Sequence, residues 1–272
     1  MPNLGINATW GTEQWASYVL EHIATQSVLL RAGARLVPVR GRIAHIPRTL
    51  TDGTATWTAE GAEIASSAPT GDQLVLTPKK LANVVSLSRE SVEDAPVNEL
   101  DAVGTALTRS VATALDVRAF STSAATATEP AGLRNYAIPT GIGAVNLDGI
   151  INAIGAIEAV GGRATAVFIR PSDLTALRLL KDTGGRPLLQ PDLQAGGGET
   201  VGGARLWPTP SLPAGVAIVA DAAQIVVGIR RDIEVKFSAD AKFTSDSVAA
   251  RVTARLDWGW NDIRGAVSIQ AA

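Results

Sequence analysis

Residues 55–90 read ATWTAEGAEIASSAPTGDQLVLTPKKLANVVSLSRE, a stretch of small and polar residues in which Trp57 stands alone. The stretch comes after a strand pattern around 37–43 and contains a second strand pattern around Leu74 and Leu76. It predicts a long, thin hairpin that leaves and returns over about forty residues. Because an isolated two-stranded hairpin is marginally stable in water, we expect this one to lie against another surface. The location of that surface decides the function.

Composition limits the classes of protein that fit. The 272 residues are 46% hydrophobic, 18% charged and only 4% aromatic, which suits one large domain or two modest ones with a hydrophobic core. The 24 basic and 26 acidic side chains give a formal net charge of −2, which argues against a dedicated nucleic-acid binder.

Several kinds of chemistry are excluded by single residue types. The absence of cysteine excludes disulfides and thiolate ligands, and His22 and His45 have no metal-binding spacing. The N-terminus lacks a secretory signal, and the apolar run at 216–229 is interrupted by Asp221 and falls short of the ~20 residues that span a bilayer. We expect a soluble, cytoplasmic chain with no membrane partner.

The order of predicted elements indicates an α+β fold without repeated βαβ units. A helix over 11–30 begins at Thr12, and the clearest helix covers 97–119, with Asp116 placed on its polar side. The second half predicts helices that start at Asn146 and Ser172, the latter ended by Gly184–Gly185, and strands at 165–169, 216–220, 225–229, 233–237 and 248–260.

The last strand is the most strongly patterned. Every even position from Val248 to Trp260 is apolar, whereas the odd positions carry Arg251, Thr253, Arg255 and Asp257. This alternation predicts an antiparallel strand with one buried face and one basic face.

We found no catalytic constellation, so we predict no enzyme and no cofactor or metal. The sequence GGGETVGG at 196–203 lacks the strand, lysine and helix of a phosphate loop and is interpreted as a flexible loop. The acidic pairs Glu60 with Glu63 and Asp240 with Asp246 lie in polar sequence, where solvated or interface charges are expected. Trp57 has no basic–aromatic neighbours and is interpreted as an interface anchor rather than a base-stacking platform.

The ordered segments together resemble the tailed-phage major capsid proteins, which have the Hong Kong 97-type capsid fold that encapsulins share. TWTAEGAEI and LVLTPKKLANVVSLSRESVEDA are similar to the extended loop and its return, and VGTALTRSVATALDVRAF with EPAGL is similar to the long spine helix and the segment after it. RPSDLTALRLLKDTGGRPLLQP, VGGARLWPTPSLPAG and RRDIEVKFSADAKFTSDSVAARVTARLDWGW are similar to the axial domain and the terminal strands. The resemblance covers nearly the whole chain.

The resemblance implies a division of the chain. Its parts are an N-arm (1–37), an extended β-hairpin loop (38–80), a peripheral domain with the spine helix (81–135 and 230–262) and an axial domain (136–229 and 263–272). It also implies hexamers and pentamers that form an icosahedral shell around packaged double-stranded DNA, held without sequence specificity. The virion would be assembled in the host bacterial cytoplasm with a portal. Because no acidic helical segment precedes the arm, we expect scaffolding to be a separate protein or absent, and decoration proteins to be separate.

The resemblance implies that the arms contact neighbouring subunits. The residues that we expect at these contacts are Trp15, Arg40, Arg42, Arg48, Trp57, Glu60, Glu63, Arg251 and Arg255. The archetype of the fold joins a loop lysine to a neighbour's asparagine, but the first lysine here is Lys79. We therefore expect a non-covalent shell in which loop guanidiniums pair with carboxylates across subunits.

Two alternative functions, and the partner of the basic face, stay open at the level of sequence. An encapsulin-type nanocompartment would enclose cargo enzymes rather than DNA, and a small-molecule enzyme would form a discrete oligomer with a polar pocket. The basic face with Arg251 and Arg255 could meet DNA, the spine helix or a neighbour. Protein contacts are favoured because a near-neutral shell does not trap a moving duplex.

Overall fold

The computed structural model of the chain describes residues 25–51, 53–64, 66–88, 90, 99–136, 138–140, 143–189, 198–242 and 247–270. Most of the helix predicted at 11–30 lies outside these residues, as does Trp15. The described residues form a mixed α and β fold with three hydrophobic clusters, the largest of which joins residues of two sheets.

The helices and strands alternate irregularly along the chain. The helices are α1 (Val28–Arg31), α2 (Glu99–Ala119), α3 (Leu147–Ala159) and α4 (Pro171–Arg178). The strands are β1 (Arg35–Pro38), β2 (Ala44–Thr51), β3 (Thr70–Leu76), β4 (Lys79–Ser88), β5 (Ala166–Ile169), β6 (Thr200–Val201), β7 (Ala204–Pro208), β8 (Val216–Ala220), β9 (Ile225–Lys242), β10 (Ser247–Trp260) and β11 (Ala266–Gln270).

A four-stranded sheet has the order β1-β9-β10-β4, and β10 pairs antiparallel with both of its neighbours. The predicted last strand is confirmed: even positions from Ala250 to Trp260 are buried, and Arg251 is exposed. Helix α2 covers the buried face, where Leu107, Val111 and Leu115 join the core. The alternation of apolar and polar residues along β10 therefore indicates a sheet with one face covered by a helix.

Strand β9 differs from the prediction, since the two short strands expected at 225–229 and 233–237 form one strand of 18 residues. Its length matches that of its partner, because β10 pairs with it from Trp260 opposite Ile225 to Ser247 opposite Lys242. Register shifts near Thr253 and Arg255 absorb the irregular pairing. The predicted division between residues 229 and 230 thus falls inside a continuous strand.

A five-stranded sheet of order β11-β8-β5-β7-β6 forms the second half of the body, with α3 packed against it. The Asn146 side chain caps α3 by accepting a hydrogen bond of 2.7 Å from the Gly149 N–H, as predicted. The expectation of a flexible loop at 196–203 was wrong for its second half. Residues 200–208 form a hairpin of β6 and β7, turned by Gly202 and Gly203 at positive φ.

Helix α4 ends at Arg178, before the predicted stop at Gly184 and Gly185. The chain instead turns back on itself, and the Leu188 N–H donates to the Leu180 carbonyl at 3.0 Å. The two glycines therefore lie in the turn of a small loop rather than at the end of a helix.

Candidate inter-subunit surfaces

The predicted hairpin is present. Strands β2 and β3 pair antiparallel, with Ala44 opposite Leu76 and Arg48 opposite Asp72. Beyond the strands, the Thr54 N–H donates to the Ser67 Oγ at 2.6 Å and keeps the two legs together. The far end turns through Gly61 at φ 80°. The hairpin is therefore a ribbon with a base near β4 and a tip formed by residues 55–64, which we call the tip segment.

The base of the hairpin packs against its own chain. Leu74 and Leu76 are 4% and 0% exposed, and both lie over glycines of the four-stranded sheet. A Cβ atom added at Gly228 would lie 2.8 Å from Leu76 Cδ1, and one added at Gly259 would lie 2.6 Å from Leu74 Cδ1. The expectation that the whole hairpin must seek another surface is therefore corrected for its base, because two glycines leave room for its leucines.

Asp257 holds the end of the hairpin to the sheet. Its carboxylate accepts hydrogen bonds from the N–H groups of Thr77 at 2.6 Å and Trp258 at 2.8 Å. We had placed Asp257 on an exposed basic face, but it is 7% exposed because the base of the hairpin covers this end of β10. Burial raises the pKa of the Asp257 carboxyl above its usual value, although both backbone donors act in the opposite direction.

Arg48 is used within its own chain. Its guanidinium forms an ion pair of 2.7 Å with Asp72 and donates to the Trp260 carbonyl at 3.1 Å, with 16% of the side chain exposed. The hydrogen bond from Arg48 lowers the pKa of the Asp72 carboxyl. The expectation that Arg48 pairs with a carboxylate of a neighbour is therefore corrected, because the opposite strand of the same hairpin provides the carboxylate.

Within the described part of the chain, the tip segment makes no comparable contacts. Trp57 is fully exposed, Ile64 is 75% exposed, and Glu60 and Glu63 are exposed beside them. The sequence has no lysine or arginine between Arg48 and Lys79 to balance these carboxylates. The tip segment is therefore an apolar and acidic projection. A large exposed aromatic side chain of this kind is typical of a protein interface.

Arg40 and Arg42, at the start of the hairpin, are exposed. Within the described ranges, neither forms an ion pair with a carboxylate. Both side chains are therefore accessible to solvent, as expected for residues that bind a partner outside the chain.

The basic face of β10 lies on the opposite side of the sheet from α2. Arg251 is exposed and lies opposite Val84 and Lys236 in the neighbouring strands. Arg255 is partly exposed and lies opposite Lys80 and Arg231. Because α2 covers the even positions of β10, the spine helix of the same chain is excluded as the partner of this face. Arg255 and Lys80 are like charges directly opposite each other and repel, so this part of the surface favours an anionic partner.

A groove of about 590 Å³ opens on the α2 side of the sheet. The start of β4, the second half of α2 and the segment 121–130 form its walls. Its lining includes Leu81, Leu256 and Val117, and Val117 is 52% exposed although it belongs to a helix of the core. Lys79 begins the β4 side, whereas Lys80 lies opposite Arg255 and belongs to the other face of the sheet, and Arg118 is already paired with Glu129 at 3.1 Å. The groove is thus a partly uncovered apolar surface.

Asp116 is a structural residue that our sequence reasoning misplaced. It is buried, and its carboxylate accepts from Ser27 Oγ at 2.6 Å and from the Val28 N–H at 2.8 Å, at the start of α1. Burial raises the pKa of this carboxyl, although these hydrogen bonds oppose the shift. The signal was available, because Ala112 and Ala119, one turn away on either side, both belong to the buried stripe.

Over the residues that the structure describes, no helix is both long and apolar enough to cross a membrane. The same residues contain no group of three or more acidic or histidine side chains that could hold a metal ion.

An α+β body thus carries a projecting hairpin whose base packs on the sheet and whose tip exposes Trp57. Comparison with known families identifies the class of protein. The chain belongs to the phage capsid family, whose model matches residues 12–267. The expected resemblance to phage major capsid proteins is confirmed, and the encapsulin alternative is not favoured.

The fold is shared with solved capsid structures. The chain is similar to a structure from Mycobacterium phage Adephagia, with 18% identity, 90% of each chain covered and a TM-score of 0.73. It is similar to one from Mycobacterium phage Bobi, with 22% identity, 90% of each chain covered and a TM-score of 0.70. It is also similar to the capsid of an empty GTA particle, with 19% identity, a TM-score of 0.73, and 100% of this chain and 94% of that chain covered. A search of curated proteins found no match.

Proposed function

We propose that this capsid protein assembles as hexamers and pentamers into an icosahedral shell that encloses phage double-stranded DNA, held by non-covalent interlocking arms. In this proposal the chain has the Hong Kong 97-type division into N-arm, extended loop, peripheral domain and axial domain. Its role is structural rather than enzymatic. A portal, and scaffolding or decoration proteins where they are used, are separate chains, and assembly takes place in the bacterial cytoplasm.

The observation that carries the proposal is the contrast between the two ends of the hairpin. Leu74 and Leu76 at the base are buried, whereas Trp57 at the tip is fully exposed. An aromatic side chain buries roughly 150–250 Å², which corresponds to about 4–6 kcal/mol at ~25 cal/mol per Å² before ordering costs. Because every subunit of a shell repeats the contact, interfaces of this kind supply the stability that a thin arm lacks in isolation.

The non-covalent character follows from the side chains of the hairpin. Arg40 and Arg42 are exposed and have the planar donors that bind a carboxylate in a bidentate manner, but arginine does not form an isopeptide bond. In the assembled shell these two guanidiniums pair with carboxylates of neighbouring subunits. Trp15, in the N-arm, contributes a second anchor.

The basic face with Arg251 and Arg255 is assigned to protein contacts. The chain carries a formal net charge of −2, so its surface as a whole offers little attraction to a duplex. Carboxylates of a neighbouring subunit would relieve the repulsion between Arg255 and Lys80, which lie opposite each other across the β10–β4 pair.

Negative-stain microscopy of the purified protein, with a mass measurement in solution, tests the proposal. Closed particles in the megadalton range are expected. A monomer or a small discrete oligomer, whose hairpin tip packs on its own body, would contradict it. The content of the particles separates the alternatives, because a phage-type shell encloses double-stranded DNA whereas a nanocompartment encloses enzymes.

A further inference from the structure

Two arginine side chains lie over one tryptophan ring where α1 meets β7. The Cζ atoms of Arg31 and Arg205 are 5.5 Å and 4.6 Å from the centroid of the Trp207 ring. We propose that these three residues, which we call the Arg–Trp–Arg cluster, bind phosphate groups of double-stranded DNA on the inner surface of the shell. The inference rests on the proposed enclosure of DNA, and it adds the site at which each subunit contacts the duplex.

The fold holds both guanidiniums in place. Arg31 is the last residue of α1, and the first N–H of this helix donates to the buried Asp116 carboxylate of α2 at 2.8 Å. Arg205 lies in β7, and a Cβ atom added at Gly198 would come within 2.6 Å of its Nε. Contact with the indole stabilises each cation further, by about 0.5–1 kcal/mol at an exposed site. The cluster is therefore ordered before a ligand binds, which lowers the entropy lost on binding.

Neither guanidinium has a counter-ion among the described residues. Both are exposed, and neither forms an ion pair or a side-chain hydrogen bond with a described residue. Glu199, the acidic residue next to the hairpin of β6 and β7, is already bound by Arg178 through hydrogen bonds of 2.6 Å and 2.9 Å. Arg35, exposed at the start of β1, adds another unpaired positive charge. This concentration of positive charge favours an anion from outside the chain.

A polyanion fits the cluster better than a single carboxylate does. A guanidinium binds two oxygens of one acid group in a bidentate manner, so one carboxylate would satisfy one arginine and leave the other unpaired. A DNA backbone offers a phosphate at every nucleotide. Because cations already contact the Trp207 ring, the cluster binds phosphates rather than stacking on bases. Phosphate contacts carry no sequence information, which suits the enclosure of DNA of any sequence.

The small number of charges keeps the contact reversible. Neutralisation of three phosphates by Arg31, Arg35 and Arg205 gives an affinity that falls about 500-fold for each tenfold rise in salt. The formal net charge of −2 adds no general attraction to this local one. Each subunit therefore contacts the duplex without trapping it.

Fluorescence anisotropy of a labelled duplex, titrated with the unassembled subunit between about 10 and about 100 mM salt, tests the proposal. Arg31→Gln with Arg205→Gln is expected to weaken binding at least about tenfold at the lowest salt. It is also expected to change the slope of log K against log salt from about −2.7 to about −0.9. The matched control, Arg251→Gln with Arg255→Gln, removes the same charge from the basic face of β10 and is expected to change the affinity by less than about twofold.

Unchanged duplex binding by the cluster variant, or an equal loss in the control, overturns the proposal. An assembly defect of the cluster variant with unchanged duplex binding also overturns it, because the cluster would then contact a neighbouring subunit. Particles of the unaltered chain that hold no DNA overturn the proposed function itself, whatever the titration shows.

The unaltered chain decides the matter if the variants do not fold. Ultraviolet irradiation of DNA-filled particles, followed by nuclease digestion and mass spectrometry, is expected to give nucleotide adducts on the peptide that contains Trp207. Adducts on other peptides but not on this one would overturn the proposal, and so would the absence of adducts.

Discussion

The side chain of Leu74 lies so close to Gly259 that a Cβ atom at position 259 would come within 2.6 Å of the leucine Cδ1. The same relationship recurs between Leu76 and Gly228, one strand away, at 2.8 Å. The two glycines set the depth at which the hairpin sits on the sheet, and so fix the direction in which its tip projects.

Gly259→Ala is expected to lift or tilt the hairpin, because the added methyl group meets Leu74 and the Tyr136 hydroxyl. Overpacking of this kind costs about 1–3 kcal/mol. Thermal unfolding and hydrogen exchange of the hairpin amides measure the change. Gly155→Ala is the matched control, since nothing lies within 4 Å of its added Cβ, and it should be neutral or slightly stabilising. Equal effects of the two substitutions would show that the close approach of Leu74 to Gly259 does not position the hairpin.

Asp116→Ala is expected to free the start of α1 from α2. The substitution leaves the Ser27 hydroxyl and the Val28 N–H without their acceptor, which costs about 1–3 kcal/mol for buried groups. Denaturant unfolding gives the loss of stability, and limited proteolysis near residue 27 reports the release of the segment. Thr113→Ala, an exposed position on the same helix, should change neither.

The buried carboxyl of Asp257 gives a pH dependence of definite sign. Burial raises the pKa of this carboxyl in the folded protein above its usual value, so the folded state holds the proton more tightly than the unfolded state. Its contribution to stability is fully present below pH 3.8 and is lost as the pH rises through the folded pKa. Asp257→Asn should therefore remove a contribution to the free energy of unfolding that decreases as the pH rises.

Thermal unfolding of both proteins from about pH 4 to about pH 7 tests this expectation. The free energy of unfolding of the wild type, minus that of Asp257→Asn, should decrease as the pH rises toward neutral. Asp72→Asn provides the opposite case, because the pKa of Asp72 is lowered by Arg48 and its contribution is lost on acidification. The same trend in both variants would contradict the assignment.

Arg48→Lys is expected to weaken the hairpin although the charge is kept. A single ammonium group cannot reproduce the planar fork that reaches both Asp72 and the Trp260 carbonyl. The expected loss is about 1–2 kcal/mol, and unfolding of the unassembled subunit measures it. Arg42→Lys, at an exposed position, should leave the subunit unchanged. If only assembly responds to Arg48→Lys, the contact of Arg48 is between subunits instead.

Intact particles are expected to dissolve into a monomer band on a denaturing gel. The tip segment carries no lysine, and the first lysine of the chain, Lys79, begins β4 at the edge of the sheet. A ladder of covalently linked subunits, stable to boiling in detergent, would refute the non-covalent interlock.

Local sequence patterns predicted the elements that are determined by one covered face or by contacts a few residues apart. The alternation along β10 is clear because α2 covers one face over most of its length, and the Asn146 cap depends on a contact three residues away. Long-range packing decided the rest. The union of two predicted strands into β9 depends on the length of β10, and the burial of Asp257 depends on a hairpin that pairs far away in sequence.

Charged side chains were the least predictable part of the candidate surfaces. Arg40, Arg42 and Arg48 look alike in sequence, but only Arg48 lies opposite an aspartate in the register of β2 and β3. Asp116 shows the reverse, since a helical wheel that counts every aspartate as solvated cannot anticipate a buried carboxylate that caps another helix.

The unbroken course of β9 has a mechanical consequence. It is one continuous strand of 18 residues, and the packing of Phe120 on Phe168, with ring centroids 5.0 Å apart, joins the end of α2 to the second sheet. A plate braced in this way resists bending within itself. We therefore expect movement of the hairpins relative to the bodies to accommodate the change of curvature between fivefold and sixfold positions. Each body would move as a rigid unit.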